Sequence, residues 1–258
     1  MEVNNKLIFD IGLHKGEDTT FYLACGFKVV AVEANPLLVE HCRKKFEKEI
    51  QAGRLTIVHA GIAEGSGVLP FYVNLHSSEW SSFDKKIGTR DNTKFEVINV
   101  SCIRARSLFE QYGVPFYLKI DIEGYDYLVL NDIPDLGAKP QYVSCEANDV
   151  KWLDIMHAKG YKRFKLINQA NNFKPFNLAR EKNRYYVLYR KIKHAIKHKL
   201  RNVIKSKYPG GSSGPFGEDT HGTWKSYEEV RQTFVDYNQG ELNTPVNYIS
   251  WLDFHATL

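Results

Sequence analysis

Five short segments, each directly after an apolar run, hold the residues with the most chemical potential. They are Asp10-Ile11-Gly12-Leu13-His14-Lys15-Gly16, Glu33-Ala34-Asn35, Ala60-Gly61-Ile62, Asp121-Ile122-Glu123-Gly124 and Glu146-Ala147-Asn148. Carboxylates dominate this set. Acids grouped at strand ends suit proton transfer to or from a substrate, or the holding of a cation.

The first loop decides between two kinds of nucleotide-like ligand. A dinucleotide needs G-x-G-x-x-G, so that backbone and a helix N-terminus can approach a pyrophosphate. Here Gly12 is present, but His14 stands at the second glycine position and Glu17 at the third. Glu17-Asp18 then open a helix, where two acids would repel a diphosphate. S-adenosylmethionine has an ammonium, a sulfonium and a carboxylate and no phosphate, so an acidic, glycine-containing loop favours it. Glu33 follows Asp10 by 23 residues at the end of a second apolar run. A carboxylate there can accept both hydroxyls of a ribose. The bland reading of Glu33 is an acid placed near a helix start by the helix dipole.

The elements that must position these residues alternate. Buried strands are predicted at Leu7–Ile11, Lys28–Val32, Leu55–His59, Pro115–Asp121 and Tyr142–Glu146, as continuous apolar runs. A helix begins at Glu17-Asp18 and closes at Gly26, and another is capped by Asn35 with Pro36 in its first turn. Further helices are predicted over Tyr125–Leu130 and from about Asp149 to Gly160. Val68–Asn74 and Phe95–Ile103 alternate, with a polar loop at Ser77–Asp84 between them. Tyr161–Ile167 and Arg184–Arg190 read as two closing strands with no helix between, so one of them is reversed. The expected fold is α/β: a Rossmann-like, doubly wound, mainly parallel sheet with one antiparallel strand and a C-terminal appendage. In such sheets ligands bind beyond the carboxyl ends of the strands, where the strand order reverses.

The domain is read as residues 1–190. The appendage, 191–258, is expected to pack on it as a basic helix, a Gly/Ser-rich loop and a terminal segment. The net charge is +5, yet Arg190 to Lys207 alone holds eight Lys or Arg and no acid, so any anionic partner is a matter for that segment. Its bland reading is an apolar stripe on the domain with lysines in water; the alternatives are an anionic membrane surface, an acidic polymer or nucleic acid. Gly211–Gly217 reads either as a lid or as a linker. Trp251, Asp253 and His255 would share one face of a terminal strand, as a sugar-binding or acid/base set or as ordinary packing. The four cysteines, Cys25, Cys42, Cys102 and Cys145, form no CxxC pair and read as reduced thiols of a cytoplasmic protein. No apolar run approaches the roughly 20 residues of a membrane span.

Phe9-Asp10-Ile11-Gly12 through Gly16-Glu17-Asp18-Thr19, Val32-Glu33-Ala34-Asn35-Pro36 and Leu118-Lys119-Ile120-Asp121-Ile122-Glu123-Gly124 resemble the successive motifs of FkbM-type methyltransferases. The resemblance covers roughly residues 6–150, and K-I-D-x-E-G is its most specific block. It implies a class I methyltransferase fold, S-adenosylmethionine as cofactor and, usually, transfer to a hydroxyl oxygen of a small molecule or glycan. It further implies that Asp10, Gly12 and Gly16 surround the methionine part, Glu33 the ribose, and Gly61 and Ile62 the adenine. Asp121 and Glu123 would face the transferring methyl, and their spacing supports this by itself, since two carboxylates two residues apart leave a strand on one face. Leu13-His14 depart from the usual Ala-Asn of the loop, which puts the substrate side of the site in question.

For catalysis the candidates are Asp121, Glu123 and His14, any of which could take the hydroxyl proton; each carboxylate also has a structural reading. Asp121 with Glu146 could instead hold Mg²⁺, but with only two carboxylates in view no metal is assigned. Two other functions remain open: an RNA or protein methyltransferase using the basic helix, and a module that binds cofactor or glycan without turnover.

Overall fold

The computed structural model describes residues 2–178, 185, 189, 192, 208, 211–238 and 251–258. These form two compact units, Met1–Glu146 and Ala147–Leu258.

The first unit is built on five parallel strands: β1 (Val3–Ile11), β2 (Lys28–Glu33), β3 (Leu55–His59), β7 (Val114–Ile120) and β8 (Tyr142–Glu146). Their order is β3-β2-β1-β7-β8, with every neighbouring pair parallel. Continuous apolar runs make this possible, because both faces of a parallel sheet are covered. Ile8, Phe9, Ile11, Val30, Val32, Leu118, Ile120, Val143 and Cys145 are all buried. The chain leaves β1 towards β2 and β3, then returns on the other side of β1 as β7 and β8. The order therefore reverses between β1 and β7. This is the mixed α/β, Rossmann-like fold expected from the sequence.

Helices α1 (Glu17–Ala24) and α2 (Pro36–Lys45) follow β1 and β2. Asn35 caps α2, its side chain accepting from the Leu37 N–H at 3.0 Å. Helices α3 (Glu47–Gln51), α4 (Lys85–Gly88), α5 (Ala105–Tyr112) and α6 (Asp126–Asp132) complete the set in this unit. β4 (Gly61–Ile62), β5 (Gly67–Asn74) and β6 (Phe95–Ile103) belong to a separate three-stranded sheet of order β4-β6-β5. The alternation of β5 explains it: Phe71 and Val73 are buried with Val100 of β6, while Val68 and Val97 are exposed. One wet face suits an antiparallel ribbon and would not suit the centre of a parallel sheet.

In the second unit, α7 (Val150–Ala158) is capped by Asp149, which accepts from the Lys151 N–H at 3.0 Å. β9 (Arg163–Asn168) lies between β10 (Lys174–Pro175) and β11 (Leu252–Thr257), antiparallel to both. α8 (Tyr227–Asn238) supplies Phe234, which packs on Phe254. Of the expected closing strand over 184–190, only Tyr185 and Tyr189 lie among the described residues. Tyr185 and Tyr189 are helical, and the strand that pairs with β9 at this point comes from the C-terminus. That pairing was not foreseen because Leu252–Thr257 is separated from β9 by more than 80 residues.

The expected basic helix lies outside the described residues, apart from Ile192, as does the expected domain end at residue 190. Among the described residues no helix is long and apolar enough to cross a membrane. All four cysteines are free thiols; Cys25 is exposed and the other three are buried.

Candidate functional site

The reversal between β1 and β7 brings two motif loops side by side. The Gly12 and Leu13 N–H groups both donate to the Val32 carbonyl at 3.0 Å, and the Asp121 N–H donates to the Ile11 carbonyl at 2.9 Å. The ends of β1, β2 and β7 are thus bonded to one another through their own backbones. Gly12 sits at φ +94°, and a Cβ there would lie 1.9 Å from the Asp121 carbonyl oxygen. Only glycine permits so close an approach.

Between the loops lies Lys119, which sequence reading passed over as part of a motif. Its ammonium is buried 3.1 Å from Asp10 Oδ1, and 3.6 Å from both Asp18 Oδ2 and Asp121 Oδ2. It also donates to the Gly12 carbonyl at 2.9 Å. Burial alone would lower its pKa, but the charges of Asp10, Asp121 and Asp18 outweigh that and hold it well above the usual lysine value. Asp10 is fully buried and accepts from the Thr19 hydroxyl at 2.7 Å; burial raises its pKa against the opposing pull of Lys119. A charge in the middle of an apolar strand was the available signal, since a lysine is almost never fully buried without a partner.

Glu33 closes β2 with its carboxylate turned back on the first loop. Oε2 accepts from the His14 N–H and Oε1 from the Asn35 N–H, each at 2.8 Å. Burial raises its pKa, partly offset by these donors. A carboxylate has about four acceptor positions, so hydrogen-bonding capacity for two hydroxyls remains. His14 itself has φ +51°. Its Nε2 lies 2.7 Å from Ser78 Oγ and its Nδ1 lies 3.4 Å from Glu17 Oε2. Both ring nitrogens therefore have neighbours other than the Asp121 and Glu123 carboxylates.

The second group of acids gathers at the ends of β7 and β8. Oxygens of Asp121, Glu123 and Glu146 all lie within 4.8 Å of one another, close enough to hold a cation. The expectation that Asp121 and Glu123 share a strand face is corrected in its reason. β7 ends at Ile120, and Glu123 sits in the following turn at φ +49°. The turn, rather than strand alternation, gathers the carboxylates. Burial, with Glu146 and Asp121 nearby, pushes Glu123 up to about 8. Arg90 opposes this from 2.8 Å, and its guanidinium stacks 4.6 Å over the Trp80 ring. The same turn is held by the Ser82 hydroxyl, which donates to the Glu123 carbonyl at 3.0 Å.

In an Arg90→Met variant, Glu123 should therefore titrate higher by about one unit or more, since an opposite charge at contact lowers a carboxyl by about 1–3 units. Carbon-13 NMR of the carboxyl reads this; a midpoint equal to wild type would show that the ion pair carries no charge coupling.

The remaining expected site residues are well packed. A Cβ on Gly16 would lie 2.3 Å from the Phe46 ring, and one on Gly61 would lie 2.2 Å from the Phe83 ring. Ile62 is buried in β4. In the second unit, Ser212 and Ser213 of the Gly/Ser-rich stretch are buried, and Gly214 packs on the Phe173 ring, so this part is packed chain and not an open lid. Asp253 and His255 are buried too, Asp253 accepting from the Gln169 amide and His255 pushed down to about 3 by burial with Lys165 adding to it. A sugar-binding face on β11 is not supported by such burial.

Comparison with known proteins agrees with the motif reading. Residues 10–163 match the Methyltransferase FkbM domain. No curated protein matches. Among solved structures, methyltransferase FkbM from Methylobacillus flagellatus KT is similar at 16% identity over 64% of this chain, with a TM-score of 0.45. This chain covers 40% of that protein. An O-methyltransferase from Bacillus cereus, in complex with SAH, is similar at 12% identity over 63% of this chain and 67% of its own, with a TM-score of 0.36. Phosphoethanolamine N-methyltransferase 2 from Haemonchus contortus, in complex with S-adenosyl-L-methionine, is similar at 10% identity over 100% of this chain and 49% of its own, with a TM-score of 0.42. These likenesses are too distant to carry more, whereas the domain match spans more than half of the sequence and includes all three motif loops. The chain belongs to the FkbM methyltransferase domain family.

Proposed function

We propose that this chain is an S-adenosylmethionine-dependent methyltransferase that acts on a hydroxyl of a small molecule or glycan. The observation that carries the reading is the junction of two acidic groups at one reversal of strand order. Asp10 and Glu33 flank the first loop, and Asp121, Glu123 and Glu146 lie beside it. A site with more carboxyl groups than cations disfavours a diphosphate and suits an ammonium and a sulfonium.

In this reading Asp10, Gly12 and Gly16 shape the place of the methionine part. Glu33 accepts the ribose hydroxyls, and Gly61 with Ile62 lies near the adenine. The bound cofactor supplies an electrophilic methyl carbon. The chain's own residues then orient a hydroxyl in line with it at about 3 Å and take its proton. Glu123 is the best placed for the proton, because a carboxyl held at about 8 exchanges protons near neutral pH. Asp121 is tied to Lys119 and serves to orient. His14, which contacts Ser78 and Glu17, borders the cofactor loop and remains a third acid–base candidate.

Calorimetry with S-adenosylmethionine tests the first layer. Charged hydrogen bonds to ribose contribute roughly 1.5–3 kcal/mol each, so Glu33→Ala should weaken binding at least tenfold. Equal affinity in variant and parent would remove Glu33 from the cofactor site. Release of S-adenosylhomocysteine with hydroxylated acceptors, and its absence with amines and RNA, tests the oxygen acceptor.

A further inference from the structure

Lys119 holds a position that no part of the proposed chemistry requires of it. It lies on β7, the strand next to β1, with a side chain only 4% exposed. Its Nζ touches three separate segments: Asp10 and the Gly12 carbonyl on β1 and its loop, Asp18 on α1, and Asp121 after β7. One cation thus sits among three carboxylates, which leaves this centre negatively charged overall. A buried acid without a countercharge ordinarily takes up a proton.

We infer that Lys119 is a positioning residue: its ammonium pins the Gly12 carbonyl and keeps Asp10, Asp18 and Asp121 together, so that the cofactor loop and the acceptor-side carboxylate form one rigid unit. The lysine does this without touching a ligand. It fixes the peptide at Gly12, where a displacement would reopen the close approach to Asp121. It also sets the charge of the pocket, since without it the carboxylates would repel one another or become protonated. The cofactor arm of this inference rests on the proposed binding of S-adenosylmethionine, whereas the pinning of the loop does not.

The test compares the full chain with Lys119→Met and with Lys119→Met/Asp18→Asn, in which one uncompensated acid has been removed. Hydrogen exchange of the ligand-free proteins reads the loop directly. Both variants should exchange the Gly12 and Leu13 amides at least tenfold faster than wild type, with the α5 amides unchanged. Calorimetry should show S-adenosylmethionine bound at least tenfold more weakly by both, even where the double variant regains the wild-type melting temperature. A lysine needed only for stability would give the opposite pattern, with loop protection and affinity returning together with the melting temperature in the double variant. That result would overturn the inference, as would wild-type exchange rates in the single variant. If wild type binds no S-adenosylmethionine, the cofactor reading fails by itself and the exchange rates still decide the role of Lys119.

Discussion

Replacing Gly12 with alanine is expected to be the most damaging single-atom addition in the first unit, and to eliminate cofactor binding. Two costs combine. An L-residue in the left-handed region costs roughly 1–2 kcal/mol, and Gly12 sits at φ +94°. The added Cβ would lie 1.9 Å from the Asp121 carbonyl oxygen and 2.9 Å from its carbon. These are backbone atoms, so no side chain can rotate away, and overpacking of this kind costs about 1–3 kcal/mol. Together they amount to about 2–5 kcal/mol, or roughly 5–15 °C in melting temperature for a chain of this size. Gly26→Ala is the matched control, because its φ is +86° but nothing lies within 4 Å of a Cβ there. It should lose only the conformational part, about 1–2 kcal/mol. Differential scanning calorimetry of the two variants checks this, and equal losses would mean that the contact between the loops is soft.

That contact also shows what could be read from the sequence and what could not. The parallel strands were legible because their residues are apolar without alternation, and the capping of α2 because Asn35-Pro36 is a local signal. Motif spacing was enough to place Asp10, Glu33, Asp121 and Glu123 near strand ends. The partner of each was not legible, because partners are set by the crossing of the chain. Lys119 meets Asp10 across 109 residues of sequence, and Arg90 meets Glu123 from a different sheet connection. The pairing of the terminal strand, β11, with β9 was not legible for the same reason. Its Leu252–Thr257 face is buried against neighbours that local pattern cannot name. The membership of β4, β5 and β6 in a sheet of their own went unread for a different reason. The alternation of Phe71, Val73, Val68 and Val97 was present, and it reported a half-wet ribbon. Conversely, spacing left Asp253 and His255 open as either a sugar-binding set or ordinary packing, and their burial favours packing.

The second large effect concerns Asp126, the first residue of α6, and it is a matter of pH. An acid at a helix start is favoured by the dipole by about 0.3–1 kcal/mol, up to about 2 in partly buried places. Here burial wins: Asp126 is wholly buried, and burial, with Asp121 and Glu146 nearby, pushes its carboxyl up to about 8 from an ordinary value of 3.8. The folded protein therefore binds this proton more tightly than the unfolded chain does. For a carboxyl raised on folding, stability is intact below the unfolded pKa and falls as pH rises towards the folded one. The loss begins near pH 4 and is complete somewhat above about pH 8. At roughly 1.4 kcal/mol per unit, the full penalty is at most about 6 kcal/mol. Asp126→Asn cannot ionise and escapes it, but a buried amide with imperfect partners gives back roughly 1–3 kcal/mol. The variant should accordingly fall about 1–3 kcal/mol below wild type at pH 4, and exceed it by up to about 3–5 kcal/mol at pH 9. Urea unfolding across this range measures the difference, in which titrations common to both proteins cancel. Parallel stability curves for the two proteins would show that Asp126 is ionised in the folded state, and that the acidic ends of β7 and β8 are less desolvated than their burial implies.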